Sequence, residues 1–303
     1  MKAYVMGIDF GSTTAKTVIL DRKGKMVAWS VGQKGSVSDA GVRDSMADAF
    51  KQAGITQADI ARTVSTGYGR RMIDVADQSY TEITCHARGA VHMRPDARLV
   101  IDIGGQDSKV IAVDANGLVS QFAMNDRCAA GTGKFLETLA RAVEVPIEEM
   151  GPLALTANEA LKISSMCATF AETEVIGLLA EGKQKPEVLG AVHASIAQRT
   201  VGLVARVGKR SPVIMTGGVA KNAAAVHHIA KALDVELIIP DFPQIAGALG
   251  AALFALDEVT GQVDAPKADE EDLVDEEAMS NSRGCATKPC QNGPKEQPLL
   301  GPF

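Results

Sequence analysis

The chain lacks three features that mark common classes of protein. No apolar run approaches the roughly 18 residues that a membrane helix needs. Acidic residues outnumber basic ones, 37 against 31, and the pI near 5.5 argues against nonspecific nucleic-acid binding. The N-terminus has no small-residue cleavage site after an apolar stretch, so no signal peptide is expected. We therefore predict a cytoplasmic protein that binds neither nucleic acid nor membrane.

Cysteine is also scarce, with five residues in 303. In a cytoplasmic protein these cysteines are not expected to form structural disulfides, which leaves metal binding, redox chemistry or burial. Apolar residues make up 46% of the chain, enough for a substantial core. The exception is residues 261–303, which contain most of an acidic run that extends from 257 to 277 and then become rich in Pro, Gly, Asn and Ser. We predict a disordered acidic tail there, with docking to a partner as the alternative.

One turn-forming segment occurs twice in the sequence. Residues 8–16, Ile-Asp-Phe-Gly-Ser-Thr-Thr-Ala-Lys, match residues 101–109, Ile-Asp-Ile-Gly-Gly-Gln-Asp-Ser-Lys, at an offset of 93 residues (102 minus 9). Asp21 and Gly24 recur at the same offset as Asp114 and Gly117, without a gap. A period this long with gap-free matches indicates a duplicated domain. In each copy an apolar strand ends in Asp, turns through small residues and returns as a second strand.

Both turns have the composition of a phosphate-binding loop. Backbone N–H groups in a Gly-rich turn can point at phosphate oxygens, and bulky side chains would block that approach. Asp9 and Asp102, at the ends of strands, can hold Mg²⁺ directly or through water. Gln106 is long enough to orient a water molecule for attack on a terminal phosphate. A later strand ends in Gly217 and Gly218, where a flat adenine could approach the backbone.

These patterns predict an ATP site between the two turns, with Asp9, Asp102 and Gln106 as catalytic residues. The residues predicted to contact ATP are Gly11, Ser12, Thr13, Thr14, Lys16, Gly104, Gly105, Gln106, Asp107, Gly217, Gly218, Lys221 and Asn222. Periodicity predicts strands over 4–33, 62–66, 98–124, 212–215 and 235–240, and helices over 44–53, 86–92, 134–143, 188–207, 222–233 and 247–256, with a further helix beginning near Cys167.

Two of the cysteines have a position that suits metal binding. Cys128 and Cys167 lie 39 residues apart, each where a helix is expected to begin. A thiolate there faces unpaired N–H groups and the positive end of the helix dipole, which lower its pKa. A [4Fe–4S] cluster usually needs four thiolates, so two chains related by a twofold axis would each supply two. The alternative is burial of two inert cysteines, and spacing alone favours it.

Three other cysteines and one histidine have weaker signals. Cys85 is expected to be buried, and Cys285 and Cys290 lie in the predicted tail without an assigned role. His86 is expected to pack within its helix rather than to bind a ligand.

The order of these motifs resembles the superfamily of actin, heat-shock protein 70 and sugar kinases. The resemblance implies a duplicated, ribonuclease-H-like α/β ATPase of two lobes. Lobe I would comprise residues 1–95 plus 246–260, and lobe II residues 96–245 with both cluster cysteines. Segments 84–90, 101–107, 124–133, 164–176 and 243–250 closely resemble one branch of it: the activators of 2-hydroxyacyl-CoA dehydratases and the ATPase subunits of benzoyl-CoA reductase.

The family resemblance implies an ATP-driven electron-transfer protein. In that branch the matching cysteines hold one [4Fe–4S] cluster shared by two subunits, which implies Cys128 and Cys167 as ligands. ATP and Mg²⁺ would be the other cofactors, ferredoxin or flavodoxin the electron donor, and an acyl-CoA reductase or dehydratase the acceptor. Because the tail extends past the usual end of an activator, a benzoyl-CoA reductase subunit is slightly preferred to a dehydratase activator. A small-molecule kinase with Asp126 as base and a chaperone-like ATP switch remain alternatives.

Overall fold

Two five-stranded mixed sheets organise the chain. The structure, a computed structural model, describes residues 2–32, 39–158, 161–164 and 167–261. Apart from Gly261, the predicted acidic tail lies outside the described residues and stays a prediction. The fold is the two-sheet α/β architecture that the sequence predicts for an actin-like or sugar-kinase-like ATPase.

The first sheet is built from the N-terminal part of the chain and has the order β3-β2-β1-β4-β5. Strands β1 to β3 are antiparallel neighbours, whereas β4 runs parallel to β1 and β5 parallel to β4. The elements are β1 (Tyr4–Phe10), β2 (Ala15–Asp21), β3 (Met26–Gly32), α1 (Asp39–Ala53), β4 (Ile60–Thr66), β5 (Gln78–Ser79) and α2 (Glu82–Met93).

The second sheet repeats this plan with the order β10-β9-β6-β7-β8. Its elements, with the helices between them, are β6 (Leu99–Ile103), β7 (Ser108–Val113), β8 (Val119–Asn125), α3 (Gly133–Ala142), α4 (Ile147–Ala154), α5 (Ala168–Ala180), α6 (Lys185–Val207), β9 (Val213–Thr216), α7 (Ala223–Leu233), β10 (Leu237–Ile238) and α8 (Ala246–Thr260). The lobe boundaries at 95, 245 and 260 stay a prediction.

The duplication found in the sequence is present in the backbone. Gly24 and Gly117 both have φ of +80°, a left-handed conformation that favours glycine. Each donates its N–H to the carbonyl oxygen three residues earlier, in Asp21 and Asp114. The Oδ1 atoms of these aspartates accept from backbone N–H groups two and four residues later in both copies. The shared Asp and Gly are therefore the residues that form the turn.

Several element boundaries differ from the prediction. Helix α1 begins at Asp39, five residues earlier than expected, and β10 contains two residues rather than six. Helix α4 is not predicted by the sequence pattern, because Pro146 precedes it and Pro152 lies inside it, and prolines usually indicate a break. A prediction from local pattern considers each proline by itself. In the folded protein, packing of α4 against the core stabilises this short helix despite Pro152.

The long helix α6 lies in the core of the second sheet. It packs against β7 and β8, and its residues Leu189, Val192 and Ile196 have no exposed surface. By length and composition alone, this 23-residue helix could cross a membrane, and 61% of its apolar stretch is buried inside the fold. The apolar composition of α6 is therefore explained by its packing in the core.

Helices α2 and α8 approach each other closely through glycine. A Cβ atom on Gly250 would lie 1.8 Å from the carbonyl oxygen of Cys85, and one on Gly89 would lie 1.9 Å from that of Ala246. A Cβ atom on Gly7 of β1 would likewise lie 2.1 Å from the carbonyl oxygen of Ala248. Helix α8 is thus held against both α2 and the first sheet at backbone contact.

We expect Gly250→Ala to destabilise the protein, since the added methyl group would meet backbone that cannot move aside. Overpacking of this kind costs about 1–3 kcal/mol. Gly202→Ala is the matched control, because residue 202 is an exposed position in α6 with no atom within 4 Å of an added Cβ. It should be neutral or stabilise by up to about 1 kcal/mol. Denaturant unfolding of both variants measures the difference, and equal effects would contradict the close approach.

Candidate functional site

The two repeated turns have the same backbone geometry. The N–H of Gly11 donates to the carbonyl oxygen of Thr14 at 3.1 Å, and the N–H of Gly104 donates to that of Asp107 at 2.9 Å. Each bond closes a tight loop of small residues directly after a strand that ends near a buried Asp. The loops therefore present backbone amides, as expected of a phosphate-binding turn.

The two turns lie against one another. A Cβ atom on Gly105 would lie 2.1 Å from Oγ1 of Thr13, so the side chain of the first turn occupies the space that glycine leaves in the second. The Oγ1 atom of Thr13 is buried and has no hydrogen-bond partner among the described residues. The structure thus brings together the two predicted halves of the ATP site.

Both predicted catalytic aspartates are buried and paired with cations. Asp9 and Asp102 are 2% and 1% exposed. Antiparallel pairing places Lys16 opposite Asp9 and Lys109 opposite Asp102, and side chains in such pairs lie on the same face of the sheet. Lys16 Nζ donates to Asp9 Oδ2 at 3.0 Å, and Lys109 Nζ lies 3.7 Å from Asp102 Oδ2.

Asp102 has two further partners. Thr216 Oγ1, at the end of β9, donates to its Oδ1 atom at 2.7 Å. Nδ1 of His86, on α2, lies 3.2 Å from the same oxygen at an angle outside that of a hydrogen bond. Burial alone would raise the pKa of Asp102, but the charges of His86 and Lys109 and the bond from Thr216 hold it well below its usual value. Asp102 is therefore ionised, as a carboxylate, at neutral pH.

The pKa values of the two basic groups around Asp102 are shifted upwards. Burial would lower the pKa of Lys109, but Glu82, Asp102 and Asp107 raise it above its usual value. Burial would likewise lower the pKa of His86, but the interactions with Asp102 and the charge of Asp9 together raise it. Because Glu82 is itself buried, its own pKa is raised. The site is a buried network of charges in which each carboxylate has a cationic neighbour.

The predicted adenine motif is placed at the same end of the second sheet as Asp102. Gly217 has φ of +85°, and a Cβ atom on it would lie 2.2 Å from the carbonyl oxygen of Ile103. Its N–H donates to Pro243 O at 2.8 Å, which joins β9 to the segment before α8. Gly218 is exposed, so its backbone is open to a ligand.

The remaining predicted nucleotide contacts differ in their surroundings. Asn222 is the N-cap of α7 and accepts a hydrogen bond from Ala225 N at 3.0 Å. Lys221 and Gln106 are exposed, whereas Ser12 and Thr14 are half-buried in the first turn. The roles of these residues in ATP binding stay predictions. Asp126, the base of the kinase alternative, is exposed.

The second turn is joined directly to helix α3. Gly133 N donates to Gly104 O at 2.9 Å, and Lys134 N donates to Gly105 O at 2.7 Å. These are N–H groups of the first turn of a helix, which have no partner within it. The carbonyl groups of the phosphate-binding turn therefore cap α3, and a shift of the turn would move the helix.

The structure corrects the predicted position of Cys128. It lies in the loop between β8 and α3, and the helix begins five residues later, with Thr132 as N-cap. Asn125 does not cap a helix; its Nδ2 donates to Cys128 O at 2.9 Å. The chain cannot start a helix at Cys128 because Gly131 takes a left-handed φ of +89° before α3. The run of small residues after Cys128 resembles the beginning of a helix only in its local pattern.

Cys167 has the position that the sequence predicts. It is the exposed N-cap of α5, and the backbone N–H groups of Thr169 and Phe170 face its sulfur and lower its pKa. Cys128 is half-buried, and neither cysteine forms a disulfide. Both thiols are thus available as ligands.

The side chain of Arg199 lies close to the loop that contains Cys128, and its charge also acts on Cys167 at the start of α5. The side chain of Arg199, on α6, lies over Gly131, since a Cβ atom there would lie 2.8 Å from Arg199 Cδ. After the two backbone N–H groups, the charge of Arg199 also lowers the pKa of Cys167. A positive charge near Cys167 favours its thiolate, which is the form that binds iron.

Three residues of the site are not predicted from the sequence. Lys109 is the repeat of Lys16 at the same offset of 93 residues (109 minus 16), so the duplication itself could have identified it. Thr216 and His86 reach Asp102 from distant strands and helices. No local pattern marks a threonine or a single helical histidine as part of a charge network, so only the fold reveals them.

Comparison with known proteins identifies close relatives. The BadF/BadG/BcrA/BcrD ATPase family matches residues 6–255. The chain is 46% identical over 252 residues to the activator of lactoyl-CoA dehydratase from Anaerotignum propionicum, covering 83% of this chain and 97% of that protein. It is 32% identical over 259 residues to one of the subunits of benzoyl-CoA reductase from Thauera aromatica, covering 82% of this chain and 91% of that protein.

A solved structure with a bound nucleotide analogue shares the fold. The activator of 2-hydroxyisocaproyl-CoA dehydratase from Clostridium difficile, with bound ADPNP, superimposes with a TM-score of 0.82 at 41% identity, covering 88% of this chain and all of that one. A glucokinase from Streptomyces griseus has a TM-score of 0.51 at 13% identity, which shows the fold alone.

We expect iodoacetamide to modify Cys167 faster than Cys85 in the iron-free protein at neutral pH. The thiol of Cys167 is exposed and its pKa is lowered, whereas Cys85 is buried. Timed labelling followed by peptide mass spectrometry measures both sites in one sample. The Cys285→Ser and Cys290→Ser changes remove two thiols that lie outside the described residues. Equal rates at the two sites would contradict this account of Cys167.

Proposed function

We propose, from the premise that the chain belongs to the BadF/BadG/BcrA/BcrD ATPase family, that it is the activating ATPase of a 2-hydroxyacyl-CoA dehydratase. Two dehydratase activators are 42% and 46% identical to it, whereas the benzoyl-CoA reductase subunit is 32% identical. The slight preference for a reductase subunit rests on the tail, which lies outside the shared residues. The dehydratase activator is therefore the better supported of the two interpretations.

One observation carries the proposal: hydrogen bonds join the second turn, residues 104–107, to the start of α3, the helix that follows the loop with Cys128. Gly104 and Gly105 accept from the first residues of α3, and the loop leading into that helix contains Cys128. A nucleotide that binds one position of the turn more tightly would favour the matching position of this segment. ATP binding and hydrolysis would thereby change the surroundings of the cysteine.

The donor set fits half of an iron–sulfur site. Cys128 and Cys167 are two free thiols, and Arg199 lies against both segments. No group of three or more His, Cys, Asp or Glu side chains suited to a metal ion is found within residues 2–32, 39–158, 161–164 and 167–261. Since a [4Fe–4S] cluster usually needs four thiolates, a second copy of the chain would supply the other two. When bound, such a cluster carries a single electron at low potential.

The surface around Cys167 suits contact with a second copy. Phe170 and Ile176, both on α5, are 67% and 50% exposed although both are large and apolar. Large exposed apolar side chains are typical of protein interfaces. A second copy seated there would cover them and bring its own cysteines to the same place.

The nucleotide residues have a role in the same proposal. Amides of the two turns would hold the phosphates, and Asp9 and Asp102 would hold Mg²⁺ directly or through water, because Mg²⁺ prefers oxygen ligands. Gln106 is exposed beside the second turn and would orient the attacking water. Hydrolysis converts ATP and water to ADP and phosphate, and this step makes the change of shape irreversible.

The electron would come from reduced ferredoxin or flavodoxin and pass to the dehydratase. The donor loses one electron and the acyl-CoA enzyme gains it, so the ATPase ends in its starting redox state. We propose that this exchange takes place in the cytoplasm.

Anaerobic purification and iron analysis test the cluster. We expect a brown protein with about four irons for two chains. Cys128→Ala and Cys167→Ala should each lose the iron and keep ATP binding, because both cysteines lie apart from the two aspartates. Cys85→Ala is the matched control, since this thiol is buried on α2, and it should keep the iron. Unchanged iron in either ligand variant would refute its assignment.

Asp102→Asn tests the ATPase site separately. The amide keeps the shape of the side chain but removes the charge that His86, Lys109 and Mg²⁺ would share. We expect a fall in kcat for ATP of at least about 100-fold, comparable to the loss of a group that stabilises the transition state. The iron content should remain that of the unchanged protein. A fully active variant would show that Asp102 is not required.

A further inference from the structure

His86 lies between the aspartates of the two phosphate turns. It is 6% exposed, and its Nδ1 atom lies 3.2 Å from Asp102 Oδ1. On the other side of the ring, Nε2 lies 2.8 Å from the point where a Cβ atom on Gly247 would stand, and Asp9 Oδ2 lies 3.1 Å from that same point. The imidazole therefore faces Asp102 with one nitrogen and the neighbourhood of Asp9 with the other.

The absence of a side chain at Gly247 makes this arrangement possible. A methyl group there would stand between Nε2 and the Asp9 carboxylate, closer to the nitrogen than van der Waals contact allows. Gly247 is in the first turn of α8, so that helix contributes space rather than a functional group. The start of α8 and the ring of His86 therefore lie together beside both aspartates.

Helix α2 holds the ring in a fixed position. Thr81 caps the start of the helix through Thr84 N, and Gly89 lies in backbone contact with α8. Two residues beyond His86, Arg88 donates to Asp257 Oδ2 at 3.1 Å, which ties α2 to the far end of α8. A residue on a helix anchored at three points keeps its side chain where the fold places it.

The charges near His86 favour an interaction rather than plain packing. Asp102 on β6 lies beside one nitrogen of the ring, and Asp9 on β1 lies on the side of the other. Glu82 lies one turn earlier on α2 itself and pairs with Lys109 on β7, which also lies near Asp102. A buried histidine among apolar side chains would need none of these neighbours. Here the ring replaces part of the solvation that Asp102 loses on burial.

We propose that His86 is a positioning residue of the ATPase, which fixes the Asp102 carboxylate relative to Asp9. Thr216 donates a hydrogen bond to Oδ1 of Asp102, and Nδ1 of His86 lies 3.2 Å from the same atom, so both restrict the rotation of the carboxylate. Its Oδ2 atom is left on the side of Lys109. The inference concerns the ATPase, and it goes beyond the proposed role in dehydratase activation because it needs no cluster. It also replaces the expectation that His86 only packs within its helix.

Three substitutions separate this role from packing. His86→Asn can place its Nδ2 atom where Nδ1 of the histidine lies, which keeps the contact with Asp102. His86→Gln reaches the position of Nε2 and loses that contact, and His86→Leu has similar bulk without any polar atom. His92→Gln is the matched control, since His92 is an exposed residue on the same helix.

The measurements are kcat for ATP hydrolysis, Kd for ADPNP by calorimetry, and Tm, all on the full-length protein. We expect the Gln and Leu variants to lose about 10- to 100-fold in kcat, the range found when an outer partner of a functional ligand is removed. Their Kd for ADPNP should be unchanged, because Asp102 orients the reacting groups rather than the nucleotide. The Asn variant and the His92 control should keep most of the activity.

Other results would overturn the inference. Unchanged kcat in the Gln variant would show that the contact with Asp102 is not needed. A Gln variant that loses nucleotide binding and Tm together with kcat would show a packing role. An Asn variant as slow as the Gln variant, at equal Tm, would show that Nδ1 is not the atom that matters. If the Leu variant does not fold, the comparison of Asn with Gln decides.

Discussion

The burial of two carboxylates is the constraint on which the rest of this structure depends. A buried, unpaired carboxylate is unstable, so Asp9 and Asp102 require cations beside them. The antiparallel hairpins place Lys16 and Lys109 opposite these aspartates on the neighbouring strand. Asp102 draws in residues from two further elements, namely His86 on α2 and Thr216 at the end of β9. Glu82, also on α2, is connected to it through Lys109. The site and the packing of the elements around it are therefore specified by the same side chains.

Close approach of backbones makes this arrangement rigid. Gly7, Gly89 and Gly250 allow β1, α2 and α8 to pack without intervening side chains, and Gly247 leaves room between His86 and Asp9. Thr13 and Gly105 make the corresponding contact between the two turns. Since such contacts fit in one position only, a change in one turn is passed to its neighbours as a shift of whole elements.

This rigidity gives the ATPase a route to a second site. The carbonyl groups of Gly104 and Gly105 hold the start of α3, and the loop before that helix contains Cys128. Arg199 packs over Gly131 in that loop and also acts on Cys167 at the start of α5. The predicted phosphate-binding turn, a capped helix and the segments that contain Cys128 and Cys167 are thus connected, and the proposed coupling of ATP hydrolysis to the cysteines uses this connection.

The sequence by itself determined the duplicated hairpins, the two aspartates and the order of the motifs, because these depend on residues close together in the chain. The offset that relates Lys16 to Lys109 also lies in the sequence. Only the tertiary structure decided that Thr132 rather than Cys128 caps α3 and that α4 forms despite Pro152. It alone brought His86 and Thr216 to Asp102. The physical reason is that the backbone conformation at Gly131 and the neutralisation of a buried charge depend on distant elements, which no local pattern contains.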